Sequence, residues 1–97
     1  ECLAIQKAGA FAIVLEMIPA ALAKEISVAL EVPTIGIGAG SECDGQILVW
    51  QDFAGLGERS PKFAKKYLNL RESLQAAATQ YRSEVQNGSF PAADQQF

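Results

Sequence analysis

Glu16 is the residue in this sequence best placed to do chemistry. It closes the run Ala-Phe-Ala-Ile-Val-Leu-Glu at Ala10–Glu16, a carboxylate directly after six apolar residues. A carboxylate in that position can serve as a positioned base. It can also simply mark where a strand leaves the core. A second feature is the glycine series Gly36, Gly38 and Gly40 within Pro33–Gly40. It strips side chains from a strand end, so that another backbone or a ligand can come close. A phosphate cradle would want a helix start directly afterwards, but Ser41-Glu42-Cys43-Asp44 brings two carboxylates there. The Walker lysine is missing and the spacing Gly-x-Gly-x-x-Gly is not matched. Tight packing at a strand mouth is the better reading. Cys2 and Cys43 have no metal-ligand spacing and the chain has no His. A zinc site and a Cys/His nucleophile pair are therefore excluded, and both cysteines are expected as reduced, half-buried thiols.

The elements that must hold these residues follow from periodicity. Ala10–Glu16 shows no alternation of apolar and polar residues, so it reads as a parallel strand covered on both faces. Its carboxyl end, where Glu16 sits, is where α/β sheets place their chemistry. Before it, Glu1–Ala8 reads as the last turns of a helix stopped by Gly9. After it, Met17-Ile18-Pro19 turns into a helix with Pro19 at its first position. Leu22, Ala23, Ile26, Ala29 and Leu30 form the apolar face of that helix, and Pro33 ends it. Pro33–Gly40 is a second buried strand, completing a βαβ unit with a right-handed crossover. Asp44-Gly45 signals a turn before a third apolar run, Gln46–Trp50. A parallel crossover normally needs a dozen or more residues. The short link to this run therefore leaves three alternatives open: a reduced crossover, an antiparallel strand, or a partly helical segment.

Further on, Gln51–Gly57 reads as a connector, and Ser60-Pro61 opens a helix with Phe63, Ala64, Tyr67 and Leu68 on its apolar face. Asn69 and Glu72 form a capping pair for a last helix, whose stripe is Leu74, Ala77, Ala78, Tyr81 and Val85. Phe63, Tyr67, Leu74 and Tyr81 are expected on the sheet side. Asn87-Gly88 stops that helix, and Ser89–Phe97 is an irregular tail.

Bulk composition narrows the class. At 97 residues the chain holds one small domain at most. It is 49% hydrophobic and 20% charged, which suits a globular protein. A net charge of −3 without a basic cluster argues against nucleic acid and anionic membranes as partners. The pI near 4.8 suits a cytoplasmic protein. No apolar run approaches the ~20 residues of a membrane span, and no signal peptide opens the chain.

Taken in order, Gly9–Glu16, Pro19–Leu30, Pro33–Gly40, Asp44–Val49, Pro61–Lys65 and Phe90-Pro91 resemble successive pieces of ketopantoate hydroxymethyltransferases. The resemblance covers nearly the whole chain. It implies an α/β enzyme with a (β/α)8 TIM barrel, of which residues 1–97 would be the C-terminal part, about strands 6 to 8 plus the C-terminal helices. The implied reaction moves a one-carbon unit from methylenetetrahydrofolate to 3-methyl-2-oxobutanoate, giving ketopantoate for pantothenate synthesis. The implied partners are the keto acid, the folate co-substrate and further copies of the chain in a homo-oligomer. Mg2+ would bind the keto acid and promote its enolate, with ligands outside this chain. By position Glu16 matches the family's catalytic carboxylate, the proton acceptor at the end of the sixth strand. Among Leu15, Met17 and Ile18 at the mouth of a barrel it would be partly desolvated, which raises a carboxylate's basicity.

Two positions depart from the family pattern. Gln51 stands where His commonly precedes the residue matching Asp52, and Gln95-Gln96-Phe97 stands where a His is frequent. Length departs more, since a barrel takes about 250 residues. The chain alone is therefore expected to be inactive and to leave apolar strand edges and faces uncovered. The rival reading is a small non-enzymatic α/β module that uses the Gly36–Gly40 mouth for a ligand or for assembly.

Overall fold

A computed structural model describes residues 1–97. Four helices and three short strands follow one another as α1 (Cys2–Lys7), β1 (Ile13–Glu16), α2 (Ala20–Ala29), β2 (Thr34–Ile37), β3 (Gly45–Gln46), α3 (Trp50–Phe53) and α4 (Leu70–Asn87). A 3-10 turn at Ala93–Gln95 closes the chain. The strands form one parallel sheet in the order β1-β2-β3. Its register pairs Ile13 with Thr34 and Glu16 with Ile37. The βαβ unit is therefore present, and the class is α/β.

The core is small. Ile13 and Leu15 of β1 pack with Ala23 of α2 and with Ala39, while Ile26 and Leu30 close in from α2. Thr34 shares the inward face of the sheet and is fully buried. Only eight residues in all are buried, and the reason lies in β1 itself. Its burial alternates, with Ile13 and Leu15 inside and Val14 and Glu16 outside. Coverage on both faces does not hold in this chain, and one face of β1 is left uncovered as expected for the chain alone, because its helices lie only against the Ile13–Leu15 side. Val14 is left 54% exposed and Phe11 89%.

The link from β2 to β3 is a helix-free parallel crossover of residues 38–44. It resolves the three alternatives for the third run, which is parallel but not a five-residue strand. Gly38, at φ +65°, turns β2 out of the sheet. Beyond the bond from the Ile47 N–H to the Gly36 carbonyl, 3.0 Å, the ladder goes no further. Trp50 therefore enters α3, and the connector expected at Gln51–Gly57 begins as helix instead.

The helix expected to open at Ser60-Pro61 does not form. One turn closes, from the Ala64 N–H to the Pro61 carbonyl at 3.0 Å. The next donors then go to α3: Tyr67 N–H to the Phe53 carbonyl at 2.7 Å, Leu70 N–H to the Ala54 carbonyl at 2.8 Å. Tertiary partners win over local propensity. Helix begins only at Leu70, with Asn69 at the cap position but without a side-chain cap bond. Gly88 ends it in the left-handed conformation, φ +79°, as Asn87-Gly88 implies.

The placement of Phe63, Tyr67, Leu74 and Tyr81 toward the sheet is also corrected. Of the four expected there, only Phe63 is half-buried, whereas Tyr67, Leu74 and Tyr81 are exposed. Tyr81 instead meets Phe90 edge to face at 5.4 Å, folding the tail back along α4. The radius of gyration, 21.9 Å, far exceeds the ~13 Å of a compact chain this long. The cause is α4, which projects from the sheet unit.

Candidate active site

Glu16 is the last ladder residue of β1, at the carboxyl end of the strand. The chain must then leave the sheet at once. Met17 does so in the left-handed conformation, φ +51°, uncommon and strained for a residue with a side chain. Its N–H still bonds the Ile37 carbonyl at 2.9 Å, so the turn is pinned one residue past Glu16. The carboxylate is exposed in this chain; the partial desolvation is expected at the mouth of a complete barrel. It lines an apolar groove of about 620 Å3 along the open edge of β1, with Val14, Leu22 and Ile26. Both ion pairs of the chain, Lys24–Glu42 and Arg71–Glu58, lie elsewhere.

Beside it, a second cleft of about 980 Å3 opens over the strand ends, bounded by Met17, Ile18, Gly38, Gly40, Lys62 and Phe63 among others. Here the glycines serve packing. A Cβ on Gly36 would meet Cys43 Sγ at 2.9 Å, and one on Gly38 would meet the Phe63 ring at 2.8 Å. At Gly40 it would run into Ala20. The chain's own atoms occupy these positions, in line with close packing and not with a phosphate cradle. The sequence had placed Phe63 on a helix face, so its seat on Gly38 was missed.

Asp44 carries more than a turn. Its carboxylate accepts from the Thr34 N–H at 2.8 Å and from the Thr34 hydroxyl at 3.1 Å. That hydroxyl also lies 2.7 Å from Ser27 Oγ on α2. One carboxylate thus ties the start of β3 to the first residue of β2 and, through Thr34, to the covering helix. The Thr34 backbone N–H, and then its hydroxyl, hold the Asp44 carboxyl below its ordinary value of 3.8. A depressed folded-state pKa means that this contribution to stability is complete above 3.8 and is lost as pH falls through the lower folded value. A carboxyl 13C titration of the folded chain should give Asp44 a midpoint below 3.8. A midpoint at or above it would mean that the Thr34 bonds do not persist in solution.

Metal binding has no support from this donor set. No three Cys, Asp or Glu side chains gather as a metal site, and His is absent. The chain's residues do not fit a magnesium site of their own. Cys2 and Cys43 are free, half-buried thiols, as expected. No helix is long and apolar enough to cross a membrane.

A sequence model of the family described as ketopantoate hydroxymethyltransferase matches residues 1–93. The chain belongs to this family. Among curated relatives named 3-methyl-2-oxobutanoate hydroxymethyltransferase, that of Acidothermus cellulolyticus is 54% identical over 96% of this chain and 35% of its own length. Those of Mycobacterium ulcerans and Mycobacterium tuberculosis are each 50% identical over the whole chain, covering 33% and 35% of the relative. The chain therefore spans about a third of the length of these relatives. Membership of the ketopantoate hydroxymethyltransferase family, read first from short segments, holds across nearly all of it.

Proposed function

We propose that these 97 residues form the C-terminal third of a (β/α)8 barrel, about strands 6 to 8 plus the C-terminal helices. The barrel transfers a hydroxymethyl group from 5,10-methylenetetrahydrofolate to 3-methyl-2-oxobutanoate, giving 2-dehydropantoate. The single observation that carries this reading is the 54% identity to a hydroxymethyltransferase across 96% of the chain. The three strands, parallel and in sequential order, are the arrangement an arc of such a barrel requires.

Glu16 is the base in this reading. It takes the proton from the carbon next to the keto group, leaving an enolate. That carbon then bonds to the folate methylene as the first of its two carbon–nitrogen bonds breaks; water adds the hydroxyl as the second breaks, and the proton taken by Glu16 and one proton of the water go to the two nitrogens of the departing tetrahydrofolate. A base at a strand end beside an open cleft has both the position and the access this needs. Magnesium, which the family reading brings with it, has no ligand set in this chain. A cytoplasmic, homo-oligomeric enzyme completes the proposal.

The test is a hybrid protein. The matching third of the Acidothermus cellulolyticus relative is replaced by these 97 residues, and tetrahydrofolate release is followed with 3-methyl-2-oxobutanoate as acceptor. The hybrid should turn over and the 97-residue chain alone should not. A folded hybrid without keto-acid-dependent release would overturn the assignment.

A further inference from the structure

The crossover from β2 to β3 passes close to the turn that follows Glu16, and little holds it there. Residues 38–44 make no backbone–backbone hydrogen bond, so side chains must fix their course. Three ties do so. Asp44 binds the far end to Thr34, which starts β2 at the opposite end of the strands from Glu16. Lys24 meets Glu42 at 3.6 Å, but both side chains are more than half exposed, and such a pair contributes little. The third tie is Gln46, whose Nε2 donates to the Gly40 carbonyl at 2.8 Å. The end of the crossover nearest the chemistry hangs on that bond.

Gly36 is the ladder partner of Gln46, and its missing side chain makes room for the amide. A Cβ on Gly36 would stand 3.2 Å from Nε2 and 3.3 Å from Oε1 of Gln46. Gly40, held from that side, abuts Ala20, the first residue of α2. Between Ala20 and Glu16 stand only three residues: Met17, pinned to the Ile37 carbonyl, Ile18, and Pro19, whose ring fixes φ. So short and stiff a link passes a shift of Ala20 on to Glu16. Every contact in this relay lies within residues 16–46. We propose that Gln46 is a positioning residue for Glu16: by holding Gly40 it holds the start of α2, and with it the turn that sets the carboxylate. This rests on the reading of Glu16 as the base.

The test uses the full-length enzyme carrying Gln46→Met, which keeps the length of the side chain and removes the donor. Gln46→Glu, which removes the donor and stays polar, is the second variant should the first not fold. Loss of the proton next to the keto group, followed without folate, should slow about tenfold, the scale of one hydrogen bond. The KM for the keto acid should stay at the parental value. Amide hydrogen exchange supplies an arm independent of turnover. The Met17 amide, bonded to Ile37, should exchange about tenfold faster, while the Ile13 amide, bonded to the Pro33 carbonyl at the other end of β1, should not change. Thr34→Val is the control for stability alone: it removes the hydroxyl tie at the far end and should lower Tm without slowing loss of the keto-acid proton. An unchanged Met17 amide in the folded variant overturns the proposal. So does equal slowing in Thr34→Val, which would reduce Gln46 to general stability. If Glu16→Gln releases the keto-acid proton at the parental rate, the base assignment falls, while the Met17 amide still decides whether Gln46 holds the turn.

Discussion

Glu16→Gln in the full-length enzyme is expected to lower hydroxymethyl transfer by about two to four orders of magnitude, the usual worth of a positioned general base. Glutamine keeps the size and hydrogen bonding of the side chain and removes only its ability to take a proton. Because Glu16 is exposed and belongs to neither ion pair, the substitution breaks no ion pair and should leave the fold intact. Keto-acid affinity should therefore change much less than turnover. The step is isolated by following exchange of the proton next to the keto group of 3-methyl-2-oxobutanoate without folate. If the variant exchanges that proton at the parental rate, Glu16 is not the base for enolisation. If Glu16 only marks the end of β1, turnover is unchanged as well.

Gly40→Ala should be the most damaging single-methyl change to the sheet unit. At φ +78° the backbone at Gly40 is left-handed, which costs a residue with a Cβ about 1–2 kcal/mol. The added methyl would also run into Cβ and Cα of Ala20, the first residue of α2. Backbone cannot swing aside as a flexible side chain can, and such overpacking costs about 1–3 kcal/mol more. The sum, about 2–5 kcal/mol, corresponds to a fall in Tm of about 5–15 °C in a barrel-sized protein. Gly88→Ala is the matched control, since φ is +79° there and nothing lies within 4 Å of the added carbon. It should show only the smaller, conformational part. Equal shifts for the two variants would mean that α2 moves away from Gly40 without resistance.

The sequence was most readable where local pattern and tertiary contact agree. The Ala10–Glu16 run, the stripe from Leu22 to Leu30 and the glycines after Ile35 all point to the same βαβ unit, and it forms. Gly88 stops α4 through a conformation that its own backbone favours, so that boundary was visible too. The failures share one cause. Residues 61–69 look helical by cap and stripe, yet Tyr67 and Leu70 give their N–H groups to Phe53 and Ala54, partners that no local window contains. Phe63 is drawn to Gly38 in the same way, across 25 residues of sequence. Glu16 could be placed at a strand end from the pattern alone. Its exposure could not, because burial depends on which elements cover each face, and here only one face of β1 is covered.

The crossover without a helix also bears on how the sheet assembles. The partners Ile35 and Gly45 are ten residues apart, while Ile13 and Thr34 are 21 apart. Closing the shorter loop costs about 0.6 kcal/mol less chain entropy. Contacts of low sequence separation also form earlier on average. The glycine-rich corner between β2 and β3, held by one aspartate and one threonine, is then the cheapest place for the chain to start. On loop closure alone, the strand that carries Glu16 is the costlier one to add.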